Sequence, residues 1–207
     1  WTAEQIRKQS VIQITECSKT YDKSQPIENG LRDERMGPLT LFVPCKTCGL
    51  KKPKCPGHFG HIELTRPVYH ISWVNQIIYW LRCICVDCGA TLIKDLSPPD
   101  ICRNKHLIHY SKNAMKKCLK CHVKQPKYTW NKKSGKILKG KEVYEIDDVL
   151  AHFKMLDEKV LEELGMSHPK DMILTCLPVP PPHVRPPIMN GSIIRGEDDI
   201  TYRLIQI

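Results

Sequence analysis

CKTCGLKKPKCPGHFGH, residues 45–61, sets three cysteines and two histidines within seventeen positions. Tetrahedral zinc takes four thiolate or imidazole ligands, and a CxxC turn presents two sulfurs to one ion because its backbone curls round the metal. Cys45 and Cys48 are followed by Gly49, which eases that curl. Cys55 and His58 form a second pair, CPGH, in which Pro56 and Gly57 favour a tight turn. The spacing C-x2-C-x6-C-x2-H brings the second pair back to the first and predicts a closed structural site with no open position for chemistry. His61 competes for the fourth place. The repeated two-residue gap favours His58 and leaves His61 as a surface histidine or a support for a ligand.

A second set lies downstream, with Cys85 and Cys88 in CVDCG and Cys118 and Cys121 in CLKCH. Between them runs a segment that begins SPPDI and has room for a short helix. Four cysteines in two CxxC pairs predict a second zinc. Cys83 and Cys102 could substitute for a member of this quartet, but each lacks a partner at the right distance, and the favoured reading is a small buried hydrophobe, as for Cys17 in VIQITEC and Cys176 in MILTCLPV.

Length and composition set the limits around these motifs. A chain of 207 residues holds one sizeable domain or two small ones, each with its own core. Eleven cysteines are an odd number, and most sit in CxxC pairs beside lysines, so metal binding is preferred to a secreted disulfide scaffold. No apolar run approaches the roughly 20 residues that span a bilayer, and the opening WTAEQIRKQS is too polar for a signal peptide. These features predict a soluble, intracellular protein with no membrane partner. An enzyme reading finds little support. His61-Ile62-Glu63 matches half of the zinc deaminase signature, but that signature requires P-C-x-x-C, whereas Cys85 follows Ile84. The sequence has no Gly-rich phosphate loop, Ser-His-Asp set or HExxH.

The remaining organisation follows from periodicity and punctuation. VIQIT alternates like a strand, and IELTRPV reads as a strand ended by Pro67. Val74, Ile77, Ile78 and Leu81 recur at helical spacing over 72–81. Residues 128–130, the turn NKKSGK and a run through Val143 and Tyr144 predict a hairpin. Asp147 is the expected cap of a helix carrying Val149, Leu150, Phe153 and Leu156, and Gly165 is placed to stop the next one, DEKVLEELG. MILTCLPVPPPHVRPPI reads as an apolar run followed by a proline-fixed extended segment that runs over a surface. RGEDDITYRLIQI opens like a helix capped by Asp198 or Asp199, and with neither an initiating Met nor a stop signal the chain is expected to be part of something larger.

Charge is concentrated in one place. Positions 103–141 contain thirteen Lys/Arg and no Asp/Glu, so by subtraction from the total of +10 the rest of the chain carries −3. Lys132, Lys133, Lys136, Lys139 and Lys141 flank Trp130 across the expected hairpin turn, an arrangement suited to phosphates and one stacked base.

EQIRKQSVIQI at 4–14, ERMG at 34–37, CKTCGLKKPKCPGHFGHIELTRPVYH at 45–70, CxCVDCG at 83–89, MILTCLPVPPPHVRPPI at 172–188 and RGEDDITYRL at 195–204 together resemble the start of the largest subunit of a eukaryotic-type multisubunit RNA polymerase, nearest to RNA polymerase II. The likeness brackets the chain and is weakest over 97–167, where the sequence is shorter than the usual nuclear enzyme.

The resemblance implies an α+β, zinc-stabilised clamp-type domain with short strands, paired helices and a proline-rich extended C-terminal segment. Residues 1–207 would be the clamp region, with zinc sites at 45–58 and 85–121, the hairpin and paired helices at 126–166, and a segment leading back toward the polymerase core at 172–207. It assigns one zinc to Cys45, Cys48, Cys55 and His58 and the other to Cys85, Cys88, Cys118 and Cys121. It also implies DNA template, the other polymerase subunits including the second-largest, and transcription factors as partners. The location would be the nucleus for a cellular source, and a cytoplasmic factory or virion for a viral one. The family's catalytic Mg2+ is held by an NADFDGD loop that this sequence lacks, so the nucleotidyltransferase chemistry is expected outside it. Two readings stand beside this one: a free zinc-binding nucleic-acid-binding module and a stand-alone zinc enzyme.

Overall fold

The computed structural model describes residues 1–23, 25–94, 105–190 and 194–207. The expected start of the SPPDI segment and Cys102 lie outside the described residues. Six helices and ten short strands in several sheets make the chain mixed α+β among the described residues. It divides into two compact units, residues 1–65 with 175–207, and residues 66–174.

The first unit opens with helix α1 (Ala3–Gln9), whose start carries a reciprocal cap: Gln5 N–H donates to Thr2 Oγ1 at 3.2 Å and Thr2 N–H to Gln5 Oε1 at 3.0 Å. Strand β1 (Ile12–Gln13) is shorter than VIQIT suggests and pairs in parallel with the start of β4 (Gly60–Tyr69), while β2 (Tyr21–Asp22) and β3 (Gln25–Pro26) form a small hairpin. The sheet order is β1-β4-β8, with β8 spanning Ile173–Val179. Around it Ile12, Ile14, Leu31, Met36, Ile62, Val179 and Leu204 form the core. At about 1.5–3 kcal/mol for each fully buried aliphatic side chain, this cluster is the unit's main apolar contribution. A short antiparallel pair, β9 (Ile188–Asn190) with β10 (Ile194–Gly196), leads to α6 (Asp199–Ile205), capped by Asp198 through Thr201 N–H at 3.1 Å.

Two expectations for this unit change. β4 continues through Pro67, because a proline fixes φ within the range a strand accepts and costs only one ladder hydrogen bond. The proline-rich segment is not an extended strip over a surface. Pro178 lies in β8 at the edge of the sheet, where a missing donor is tolerated, and the chain then turns through Val184 N–H to Pro181 O at 3.1 Å, burying Pro181, Pro182 and Arg185.

In the second unit a 3-10 turn (Ile71–Trp73) feeds α2 (Val74–Cys83), which buries Val74, Ile77, Ile78, Trp80, Leu81 and Cys83. That face packs on α3 (His106–Asn113), on α4 (Ile146–Lys154) and on a three-stranded antiparallel meander of β5 (Tyr128–Asn131), β6 (Lys136–Lys139) and β7 (Glu142–Tyr144). The expected hairpin thus has a third strand. Gly140, at φ 67, makes a second tight turn possible, so Lys136 and Lys139 become strand residues. The cap of α4 is Glu145, without a side-chain hydrogen bond, and Asp147 falls in the first turn, where its charge favours the helix dipole. α5 (Glu158–Leu164) starts at Asp157 and stops at Gly165 with φ 60, as its sequence indicates.

Candidate metal centres

The three CxxC segments adopt one backbone form. Cys45 N–H donates to Leu50 O at 2.9 Å, Cys85 N–H to Ala90 O at 2.8 Å and Cys118 N–H to Val123 O at 3.0 Å. The residue after each pair turns back on the first carbonyl: Gly49 N–H on Cys45 O at 2.8 Å, Gly89 N–H on Cys85 O at 3.1 Å and His122 N–H on Cys118 O at 3.1 Å. That turn needs a left-handed residue, and φ is 70 at Gly49, 68 at Gly89 and 59 at His122. At Gly89 a side chain is also excluded by space, since a Cβ there would lie 2.5 Å from Met155 Cβ.

His122 holds a conformation that disfavours a Cβ, at a cost of about 1 kcal/mol. His122→Gly is therefore expected to raise stability by about 1 kcal/mol in the zinc-loaded chain, read as a higher urea midpoint at unchanged m-value. An unchanged or lower midpoint refutes the strain.

Each curl gathers ligand atoms. Those of Cys45, Cys48, Cys55 and His58 lie within 4.8 Å of one another, as do those of Cys85, Cys88, Cys118 and Cys121. Sulfur separations are 3.6 Å for Cys48–Cys55, 3.4 Å for Cys85–Cys121 and 3.7 Å for Cys88–Cys118, and Cys55 Sγ lies 3.8 Å from His58 Nε2. A tetrahedron of Zn–S bonds of about 2.3 Å has edges of about 3.8 Å, so the cradles have the size zinc requires.

The thiols within each cradle differ in acidity. The His58 side chain, followed by Leu50 N–H, draws the Cys48 thiol down to about 7, while burial pushes Cys55 up to about 11. Burial opposes ionisation of Cys85, yet the N–H groups of Cys88 and Asp87 overcome it and bring that thiol to about 6. The N–H groups of Cys121 and Lys120 also draw the Cys118 thiol down against burial, while Cys88 and Cys121 are pushed up, so each cradle mixes thiols drawn toward the thiolate with thiols held protonated, a conflict that a divalent cation removes. Cys83, outside both groups, behaves as a buried apolar residue, its thiol pushed to about 12 by burial.

Two supports were not legible as such in the sequence. Gln125 Nε2–H donates to Cys85 Sγ at 3.2 Å while its Oε1 accepts from Val86 N–H at 3.0 Å. His152, buried in α4, donates from Nε2 to Cys85 O at 3.1 Å, and burial lowers its pKa to about 4, which keeps it neutral. Neither carries a spacing signal. The fold alone places them.

His61 belongs to a different group. Its Nδ1 lies 2.8 Å from Ser10 Oγ, and its other nitrogen faces Glu63 near buried Cys176. Arg7 holds both Glu63 oxygens, at 2.5 and 2.9 Å, so that carboxylate already has its counter-charge.

The lysines of the meander are unequal. Lys132, Lys133 and Lys141 are exposed in turns. Lys136 Nζ pairs with Glu145 at 2.9 Å, and Lys139 Nζ lies 5.3 Å over the Tyr144 ring. Trp130 is half-buried and packed edge-on to Tyr69 at 5.8 Å, so the ring is largely committed to the core.

Residues 1–207 match the family model described as RNA polymerase Rpb1, domain 1. The chain is 32% identical over 240 residues to DNA-directed RNA polymerase II subunit RPB1 of Euplotoides octocarinatus, covering 99% of this chain and 50% of that protein. It is 34% identical over 222 residues to DNA-directed RNA polymerase subunit Rpo1N of Methanothermobacter thermautotrophicus, and 38% identical over 232 residues to Rpo1N of Sulfolobus acidocaldarius. Those matches cover 99% and 98% of this chain but 25% and 26% of the relatives, so the chain spans a quarter to a half of the proteins it is similar to. With the family matched from the first residue to the last and both cysteine-rich cradles formed, the chain belongs to the RNA polymerase Rpb1, domain 1, family.

Proposed function

We propose that the chain is the clamp portion of the largest subunit of a DNA-directed RNA polymerase, holding template DNA while nucleotidyl transfer proceeds elsewhere. The observation that carries this reading is the match of the whole chain to the family, together with relatives named as polymerase subunits. Cys45, Cys48, Cys55 and His58 would hold one zinc, and Cys85, Cys88, Cys118 and Cys121 the other. Zinc bound there supplies cross-links, because four protein ligands leave no position for substrate. Catalytic Mg2+ would sit outside this chain, which should be inert alone. Its partners would be template DNA, the remaining polymerase subunits including the second-largest, and transcription factors, in the nucleus of a eukaryotic source. No helix among the described residues is long and apolar enough to cross a membrane.

The DNA-facing surface would be the lysine-bearing meander, with Lys132 and Lys133 leading and Lys136, Lys139, Lys141 and Trp130 behind them. Such binding is sequence-independent and falls with salt at a log-log slope of about −0.9 per phosphate on duplex DNA. Changing Lys132, Lys133 and Lys136 to glutamine should flatten that slope by about two to three units with both zincs retained. The smallest share should come from Lys136, which is held by Glu145. An unchanged affinity and slope would move the DNA-facing surface away from the meander.

A further inference from the structure

The His-x-Glu pair at 61–63 lies outside both cradles, and the fold brings it a third donor. His61 and Glu63 are two apart on β4, so their side chains share one face of the sheet, while Ile62 between them is buried in the core on the other. Cys176 comes from β8, the strand beside β4, and is 1% exposed. A ring nitrogen of His61, a carboxylate oxygen of Glu63 and Cys176 Sγ lie within 4.8 Å of one another.

The histidine is held as a lone-pair donor. Ser10 Oγ–H donates to Ile12 O at 2.7 Å, and a hydroxyl has only one proton, so at 2.8 Å from His61 Nδ1 the same oxygen accepts from Nδ1–H. In the neutral ring the Nε2 lone pair then faces Glu63 Oε1 at 3.6 Å. That gap is too long for a hydrogen bond. It is close to the roughly 3.4 Å that separates nitrogen and oxygen ligands on one tetrahedral zinc with bonds of about 2.1 Å. Metal-bound histidines fix their tautomer in this way, by donating the second ring N–H to a neighbouring oxygen. Arg7 takes one lone pair from each Glu63 oxygen, and a carboxylate offers about four in all, so Oε1 keeps one for a cation.

We propose that His61 Nε2, Glu63 Oε1 and Cys176 Sγ form a third zinc site, open in type, with water in the fourth position. Imidazole, carboxylate and thiolate make a borderline-soft set that suits Zn2+ and not Mg2+ or Ca2+. On binding, Cys176 gives its thiol proton to solvent as the Zn–S bond forms. Entry is from the side of Glu63, whose side chain is 34% exposed. Three ligands, one of them shared with Arg7, hold the ion less firmly than the four of each cradle. The third zinc should therefore leave on gel filtration in metal-free buffer, with two zincs remaining per chain.

The test takes the chain after that step and adds Zn2+, followed by calorimetry, or Co2+, followed by the thiolate-to-metal charge-transfer absorption. One further equivalent of either metal is expected, and the Co2+ band marks sulfur in the site. Cys176→Ala and His61→Gln should each weaken this equivalent by at least about tenfold, with two zincs and the near-UV CD spectrum retained. No further equivalent in the wild-type chain overturns the proposal. So does a charge-transfer band that persists in Cys176→Ala, which would mark exchange into a cradle, or binding that is unaffected by His61→Gln. A measurement on the wild-type chain needs no variant: with excess Zn2+ at neutral pH, 15N NMR should show His61 protonated on Nδ1 alone. A ring protonated on both nitrogens would make His61 an ion-pair partner of Glu63 and overturn the site.

Discussion

Stripping zinc from the chain should unfold it. Structural zinc contributes on the order of 10 kcal/mol of apparent folding free energy, which is comparable to or larger than the net stability of a small domain. Each of the two compact units contains one cradle. Around the first, residues 37–59 form bends and turns with no helix or strand. Around the second, the buried cluster consists of Cys85, Leu92 and Cys118, with Cys88 and Cys121 beside them, so its core is largely sulfur. Without metal, these thiols are poorly satisfied and the loops that carry them have little else to fold on. Elemental analysis is expected to give two zincs per chain, and chelation should abolish the near-UV CD signal. Cys118→Ser should cost several kcal/mol, whereas Cys17→Ser, at a half-buried cysteine outside both cradles, should cost less than about 1 kcal/mol. One zinc per chain, or a chelated protein with unchanged near-UV CD, would defeat the two-site assignment.

The cradles could be read from the sequence because zinc ligation is local. A CxxC turn declares its geometry within four residues, and the glycine after Cys48 and Cys88 declares the left-handed step that closes it. The face of α2 was legible for the same reason, since Val74, Ile77, Ile78 and Leu81 state their period within eight positions. What escaped was set by contacts between distant parts of the sequence. Nothing near Gln125 or His152 announces Cys85, 40 and 67 residues away. The third strand of the meander was missed because NKKSGK is a strong turn signal, whereas Gly140-Lys141 is a weak one beside alternating residues too few to stand out. The proline-rich segment failed differently. Proline restricts backbone angles but says nothing about burial, and the turn at 181–185 is held by Arg185, whose partners Leu31 and Thr201 come from both ends of the chain.

Glu197→Gln should be among the most damaging single changes outside the zinc ligands, at about 3–5 kcal/mol. Arg32 is fully buried and Arg185 is equally inaccessible. Burial pushes the Arg185 guanidinium down to about 10, with the charge of Arg32 acting in the same direction, so the first unit holds two neighbouring cations in its interior. Arg185 spreads its donors over Pro180 O at 2.8 Å, Thr201 Oγ1 at 3.1 Å and the carbonyl of Leu31. Arg32 has less support: its Nη2 pairs with Glu197, while Nε and Nη1 find no partner among the described residues. The Glu197 carboxylate is thus the counter-charge that makes burial of Arg32 tolerable. Glutamine preserves its shape but removes the charge, leaving the buried Arg32 guanidinium without a counter-charge. An apolar partner should reverse the loss. Arg32→Met combined with Glu197→Gln is expected to recover most of the stability, because replacing both members of a buried pair is far less costly than orphaning one. Urea midpoints of the wild type, both single variants and the double variant complete the cycle, and their non-additivity should be of the order of 2–3 kcal/mol. A Glu197→Gln cost below about 1 kcal/mol would mean that Arg32 behaves as a surface charge, and that the segment joining β10 to α6 is held by the Asp198 cap and Leu204 rather than by this pair.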